Sequence, residues 1–378
     1  MHYFRILIFS FFLVFLLGCD HQSQSGFSMS SQESSDSSMP TYAKGFQIIK
    51  IDGGQLIRIF DPWHKHKILQ ELYLYREGNQ PIKQIDNATT VTIPIQSIAI
   101  TSLDNVGFLG ELNALNRVVA ITDVNRLFNP LLNKKVINNQ VVDLGPAVDL
   151  NVEKLVVAQP DMVFSTTYNA GSKAKDIFLK SGMTLFYNMD WMEQTPLGRA
   201  EWIKVVGALL NQEAAADSIF HQIESNYLRT REKIIDIQDK PKVIIGSNYK
   251  GIWYMPGGKS FKALLLADAG ASYYWDHDSS TGSLALSFEK VVEMQSDADI
   301  WIEAPYRTFE EISAVDQRYG IFKAYKDSMV FNNFGRSNGL ANDYWEKGLC
   351  RPDLILMDLV EILHPDLFDH KLLFYKKI

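Results

Sequence analysis

Apolar and polar positions follow three different rhythms along this chain. Phe46–Ile51 and Leu56–Phe60 are short β-like runs flanking Asp52-Gly53-Gly54-Gln55, and Leu72-Tyr73-Leu74-Tyr75 reads as a third strand. Together they predict a small hairpin region. From residue 95 strand-length apolar runs alternate with helical spacing. Strands are expected over 95–101, 117–121, 161–165 and 184–188, and helices over 104–116, 151–158 and 171–182. This alternation predicts a parallel sheet covered by helices. Residues 196–210 read as helical. Residues 212–238 place Ile219, Ile223, Tyr227 and Ile234 on one helical face. A helix of that length spans on the order of 40 Å, enough to run from one body to another. After Pro241 the α/β rhythm restarts, with strands over 242–247, 298–304 and 328–332 and helices over 260–269, 287–294 and 351–363.

The two α/β stretches echo each other. Asn151-Val-Glu153-Lys154-Leu155 leads through Gln159-Pro-Asp161 into an apolar run, and Ser287-Phe-Glu289-Lys290-Val291 does so through Gln295-Ser-Asp297. The predicted fold is therefore α/β: two Rossmann-like lobes joined by one long α-helix, with a small N-terminal β appendage. The expected division is 41–90 for the appendage, 91–210 for the first lobe, 211–240 for the connecting helix and 241–378 for the second lobe.

The N-terminus adds a location. Arg5 precedes ILIFSFFLVFLL, an uncharged run too short to span a bilayer comfortably, and Gly18-Cys19 follow at once. Leu-Leu-Gly-Cys resembles a bacterial lipoprotein signal, which implies a signal peptide over 1–18 and lipidation of Cys19. Residues 19–40 are rich in Ser, Gln and acids and predict a flexible tether. The expected setting is the cell envelope, on the periplasmic face of the membrane, held there by the lipid anchor.

Composition narrows the chemistry. The hydrophobic fraction of 46% supports a full core. A net charge of −7 argues against nucleic acid as a partner. Beyond Cys19 the remaining cysteine is Cys350, so no intramolecular disulfide can form, and its Gly-Leu-Cys-Arg-Pro setting suits a small buried residue. A hydrolase would need a nucleophile elbow or a His-Glu-x-x-His helix, and neither occurs. A bare transition-metal receptor would need several His or carboxylate ligands from both lobes. Of the eight histidines, His277 alone falls near an expected strand end.

From about Val91 onward the chain resembles the periplasmic substrate-binding proteins of ABC importers for iron-siderophores, haem and vitamin B12. Asn116–Asp123, Asn151–Val163, Tyr254–Phe261 with Ala269-Gly270-Ala271, and Arg351–Phe368 carry the resemblance, in order. It implies a receptor rather than an enzyme, without a resident cofactor, that delivers its ligand to an ABC permease dimer with its ATPase. It also implies that Glu153 docks on the permease. The same comparison assigns Lys259 to the matching place in the second lobe, a departure from the family's glutamate. A solvated glutamate favoured by the helix dipole is the alternative for Glu153.

In open α/β sheets ligands bind beyond the carboxyl ends of the strands. That rule nominates Thr101, Ser102, Arg126, Thr167, Tyr168 and Trp191 in the first lobe. In the second it nominates Tyr249, Trp253, Tyr306, Arg307 and Arg336. Flat rings offer stiff contact area for a macrocycle or catecholate, and arginines can neutralise an anionic chelate. The aromatics serve equally well as core, and the arginines as surface salt bridges. The segment Asn338–Glu346 is expected to complete the cleft wall or to pack as a loop. The resulting expectation is an iron-siderophore receptor, with a corrinoid or haem as the next ligands in order. A free transition-metal ion or a lipid-anchored hydrolase is the more distant alternative.

Overall fold

The computed structural model describes residues 37–78, 85–166, 183–365 and 367–378. Cys19, Thr167, Tyr168 and the helix expected over 171–182 lie outside these residues. No helix among those described is long and apolar enough to cross a membrane.

The N-terminal region is a five-stranded sheet, β1 (Ser37–Ser38), β2 (Phe46–Ile51), β3 (Gly54–Phe60), β4 (Ile68–Arg76) and β5 (Thr89–Ile93), in chain order. Asp52-Gly53 makes the tight β2–β3 turn, with Gly53 at φ 76°, a conformation glycine adopts without steric cost. The fifth strand runs parallel to β4. The sequence did not announce it, because its Thr-rich run carries little apolar signal.

This sheet is clamped to the first lobe by two buried glutamates. Glu201 accepts the backbone N–H groups of Thr41, Tyr42 and Ala43 at 2.8–3.0 Å. Glu193 accepts those of Lys44 and Gly45 and the Trp202 indole N–H. The region is thus an integral wall of the molecule.

The first lobe is a fully parallel sheet of β6 (Ile98–Ile100), β7 (Val118–Ile121), β8 (Val142–Asp143), β9 (Met162–Ser165) and β10 (Thr184–Tyr187), in the order β10-β9-β6-β7-β8. Its strands are apolar on both faces, as a sheet covered on both sides requires. β8 and the preceding helix Pro130–Ile137 were not legible as elements in the sequence. The connecting helix runs from Glu213 to Ile234, about 33 Å at ~1.5 Å per residue, and buries Phe220, Ile223, Tyr227 and Ile234. It ends four residues before the expected Gln238.

The second lobe is built on β11 (Val243–Ile245) and β15 (Ile300–Ile302), paired in parallel. Parallel bridges at Ser272 and Val330 widen this sheet, and its edge is Phe331–Asn332 paired with Lys376–Lys377 of the tail. An antiparallel excursion of β12 (Asn248–Tyr249), β13 (Ile252–Pro256) and β14 (Ser283–Ser287) stands apart from it.

The internal echo is real in three dimensions. Asn151 caps helix Val152–Ala158 by accepting the Lys154 N–H, and Ser287 caps helix Phe288–Gln295 by accepting that of Lys290. Each helix leads into a central strand. Asp161, just before β9, accepts N–H groups of Gln96 and Ser97, and Asp299, just before β15, accepts that of Lys242. The structural partner of Asp161 is therefore Asp299, two residues beyond the Asp297 that sequence alignment suggests.

Candidate functional site: the interlobe cleft

In the first lobe the chain order reverses between β6 and β9, the switch point where open α/β sheets leave a crevice. The carboxyl ends of these strands carry Thr101 and Thr166, and Thr101 Oγ1 is held by the Phe164 carbonyl at 3.1 Å. Facing them across a cavity of about 940 Å³ are Pro305, Arg307, Phe334, Leu340 and Trp345 of the second lobe. Ser102, Arg126, Trp191 and Arg199 complete the first-lobe side.

The arginines differ in their commitments. Arg199 is nearly buried and donates to Asp190 at 2.8 Å. Burial raises both Asp190, to about 7, and Asp104 on the cleft wall, while the Arg199 guanidinium pulls both down. Arg307 lies over the Phe334 ring at 4.7 Å and donates to the Gly339 carbonyl, and Arg126 is exposed. Neither guanidinium meets a carboxylate among the described residues. The nearby acids are engaged elsewhere: Glu311 by the Arg307 backbone N–H, Asp104 by Asn105, Glu346 by two backbone donors. One cation without a carboxylate partner among the described residues thus lines the cleft from each lobe.

Trp191 is 43% exposed, fixed by its indole N–H to the Thr166 carbonyl, and Trp345 is 52% exposed on the opposite lobe. Two aromatic surfaces therefore stand ready at low entropic cost.

The lobes also pack directly against each other beside the cleft. A single π-turn, Tyr344–Gly348, presses on helix Asp104–Glu111 so closely that a Cβ at Gly107 would meet the Glu346 carbonyl at 2.3 Å. Glu346, 2% exposed, caps Phe128 and Asn129 of the other lobe, while Glu111 pairs with Lys347 and Arg351. Burial pushes Glu346 up to about 7 against the pull of those two N–H groups.

A carboxyl that holds its proton more tightly folded than unfolded contributes most below the ordinary glutamate range, and that contribution is lost as pH rises through about 7. Urea melts between pH 5 and 8 should therefore show Glu346→Gln losing a pH-dependent decline of up to roughly 3 kcal/mol that wild type displays. Parallel curves for the two proteins would mean that Glu346 titrates as an ordinary exposed acid.

Several sequence-nominated residues sit elsewhere. Trp253 is fully buried, its indole N–H bonded to the Ile245 carbonyl among Phe288, Trp301 and Phe322. Tyr306 turns inward to Tyr319 and Trp301. Both are core: alternation along β13 points Trp253 inward, and Tyr306, on the loop after β15, packs its ring and hydroxyl against Trp301 and Tyr319. Tyr249 is exposed on β12 and is not among the residues lining the cleft. Arg336 is tied to Asp343 at 2.6 Å and lines a smaller cavity beside Phe128. Thr101, Ser102, Arg126, Trp191 and Arg307 are brought together. Trp345, Arg199 and Asp104 join them; Trp345 and Asp104 lie in segments the sequence had marked, whereas Arg199 sits on a helix and gave no signal. Cys350 is buried, donating to the Lys347 carbonyl. Among the described residues no three His, Cys, Asp or Glu side chains converge as metal ligands.

Two α/β lobes on a helical connector, with a cleft at their strand ends, define a two-lobed solute-binding protein. The family model described as periplasmic binding protein matches residues 98–317, and the chain belongs to that family. Membership places it among transport binding proteins rather than enzymes. An uncharacterized lipoprotein of Methanocaldococcus jannaschii is 26% identical over 86% of this chain and 82% of its own length. That span does not fit between Ile98 and Ile378, so the likeness reaches back into the N-terminal sheet. Among solved structures, Helicobacter pylori CeuE with Ni(II) bound is 19% identical with a TM-score of 0.56, covering 76% of this chain and 89% of its own. The haem-binding protein HutB of Vibrio cholerae is 16% identical with a TM-score of 0.54, covering 69% and 98%. A possible iron-binding solute-binding protein of Staphylococcus epidermidis is 18% identical with a TM-score of 0.53, covering 71% and 98%. All three share the fold.

Proposed function

We propose that the protein captures an anionic metal chelate of the iron-siderophore class in the interlobe cleft and delivers it to an ABC permease. The observation that carries this reading is a cleft of about 940 Å³ with an exposed tryptophan on each side and, on each side, an arginine that no carboxylate among the described residues neutralises. Its volume lies at the upper end of the range for ligand sites, as a bulky chelate needs. The iron, haem and nickel named for the structural neighbours point to the same broad class of cargo. Corrinoids and haem remain the alternatives within it.

A lipid on Cys19 would hold the receptor at the membrane surface, in keeping with the lipoprotein relative. For docking, the first-turn Glu153 is matched in the second lobe by Glu289, which holds the same place after its cap. Lys259, the counterpart expected from sequence, instead precedes the Ser260 cap of helix Phe261–Asp268. Glu153 and Glu289 are the proposed permease contacts.

Thermal unfolding with ferric tris-catecholate, a ferric hydroxamate, cyanocobalamin and haemin tests the reading. A bound chelate at 100 times its dissociation constant stabilises by about 2.7 kcal/mol, and the ferric chelates are expected to do so. No shift with any of the four would overturn it. Trp191→Ala should weaken ferric tris-catecholate binding about tenfold without lowering the melting temperature, measured by titration and melting of the apoprotein.

A further inference from the structure

A second cavity of about 600 Å³ adjoins the cleft, and one of its walls is the N-terminal sheet, which lies outside the residues 98–317 that the family model matches. Phe60 and Pro62 come from that sheet, Met189 and Met192 from the first lobe, and Phe261 and Gly282 from the second. Trp191 lines both cavities and so stands in the partition between them. Beside it Arg199, a cleft residue, lies over the ring of Phe261, a residue of the second cavity, at 5.6 Å. Trp63, on the loop after β3, approaches Trp191 with ring centroids 6.3 Å apart. The sheet thus reaches the rim of the cleft through an aromatic contact.

We infer that this second cavity is an accessory chamber of the ligand site, built to take an apolar arm of the chelate whose metal-bearing head occupies the cleft. The inference rests on the chelate reading above. Its support is separate: Phe60, Pro62, Pro256 and Phe261 give the chamber an apolar side, with Lys44, Asp61, Glu193 and Lys262 also on its walls, the two methionines are adaptable, and Trp191 is shared with the cleft. A head held by Arg126 and Arg307 would leave an arm directed past Trp191 into apolar surroundings. A ligand with such an arm would bury it there instead of leaving it in water.

The test compares ferric tris-catecholate with its 4-hexylcatecholate analogue, which keeps the head and adds arms. Affinities are read from tryptophan quenching of the full mature protein. A Cβ at Gly282 would meet nothing within 4 Å, so Gly282→Trp can obstruct the chamber without moving the backbone. Thr281→Trp, on the same exposed turn, is a second obstruction. Wild type is expected to prefer the hexyl chelate about tenfold or more. Both variants should lose that preference and bind the parent chelate as wild type does. Equal affinity of wild type for the two chelates overturns the chamber while leaving the cleft reading intact. So does a preference that survives both obstructions, or a parent affinity that falls as much as the hexyl one. Failure of either chelate to bind wild type at all removes the cleft reading and this inference together.

Discussion

Arg126→Glu combined with Arg307→Glu is expected to weaken ferric tris-catecholate binding about 1,000-fold, since each charge-assisted contact is worth roughly 1.5–3 kcal/mol. The loss should be nearly all in affinity. Both side chains are exposed, and neither forms a carboxylate pair among the described residues whose rupture would cost stability. The urea midpoint of the double variant should therefore stay within error of wild type. Arg336→Glu is the control. Its guanidinium is spent on Asp343 and faces a different cavity, so it should lower stability and leave affinity largely unchanged. Equal affinity losses for the Arg336 variant and the double variant would mean that net charge, not position, attracts the ligand. Salt separates the same two cases. Long-range attraction fades at 1 M salt, where the Debye length is about 3 Å, whereas direct contact persists in part.

What the sequence revealed of this site follows from the range of the forces involved. Alternation of apolar runs and helical spacing is local, so β6, β7, β9 and β10 could be read, and with them the strand ends that hold Thr101, Ser102, Arg126 and Trp191. The echo between Asn151–Leu155 and Ser287–Val291 is also local, and it already set Glu289 opposite Glu153. Trp253 was placed at the cleft because a strand was taken for a loop. Read with period two, Ile252–Pro256 sends Trp253 and Met255 inward and leaves Ile252 and Tyr254 partly exposed, which is what the structure shows. Arg336 failed for another reason: its pairing with Asp343 depends on a loop closing through space. The N-terminal sheet was seen as strands but not as a wall of the site. Its attachment runs through Glu193 and Glu201 to backbone groups more than a hundred residues away. No local pattern encodes such a contact.

Asp358→Ala is expected to cost about 4 kcal/mol, the largest stability effect of any single change proposed for this chain. Helix Pro352–Leu363 is buried over most of its surface, so a fully buried carboxylate within it must be satisfied. Asp358 accepts the backbone N–H groups of Leu373, Phe374 and Tyr375, at 2.9, 2.6 and 3.0 Å, and faces the His370 ring at 2.6 Å. It thereby folds the C-terminal tail back onto the lobe. Lys376–Lys377 then pair with the sheet, and the Tyr375 hydroxyl reaches Glu303, the acid that neutralises Lys262 on the wall of the second cavity. Alanine would strand three donors at once, those of Phe374 and Tyr375 buried. Asparagine should recover less than half of the loss, because its amide turns an N–H₂ toward groups that are themselves donors. Urea unfolding followed by tryptophan fluorescence measures both variants. A loss below about 1 kcal/mol for alanine would show that Phe374 and Tyr375, both buried, hold the tail by packing alone. The same variant should leave the Arg126–Arg307 side of the cleft intact while loosening Lys262. Any change in ligand preference would then fall on the hexyl chelate rather than on its parent.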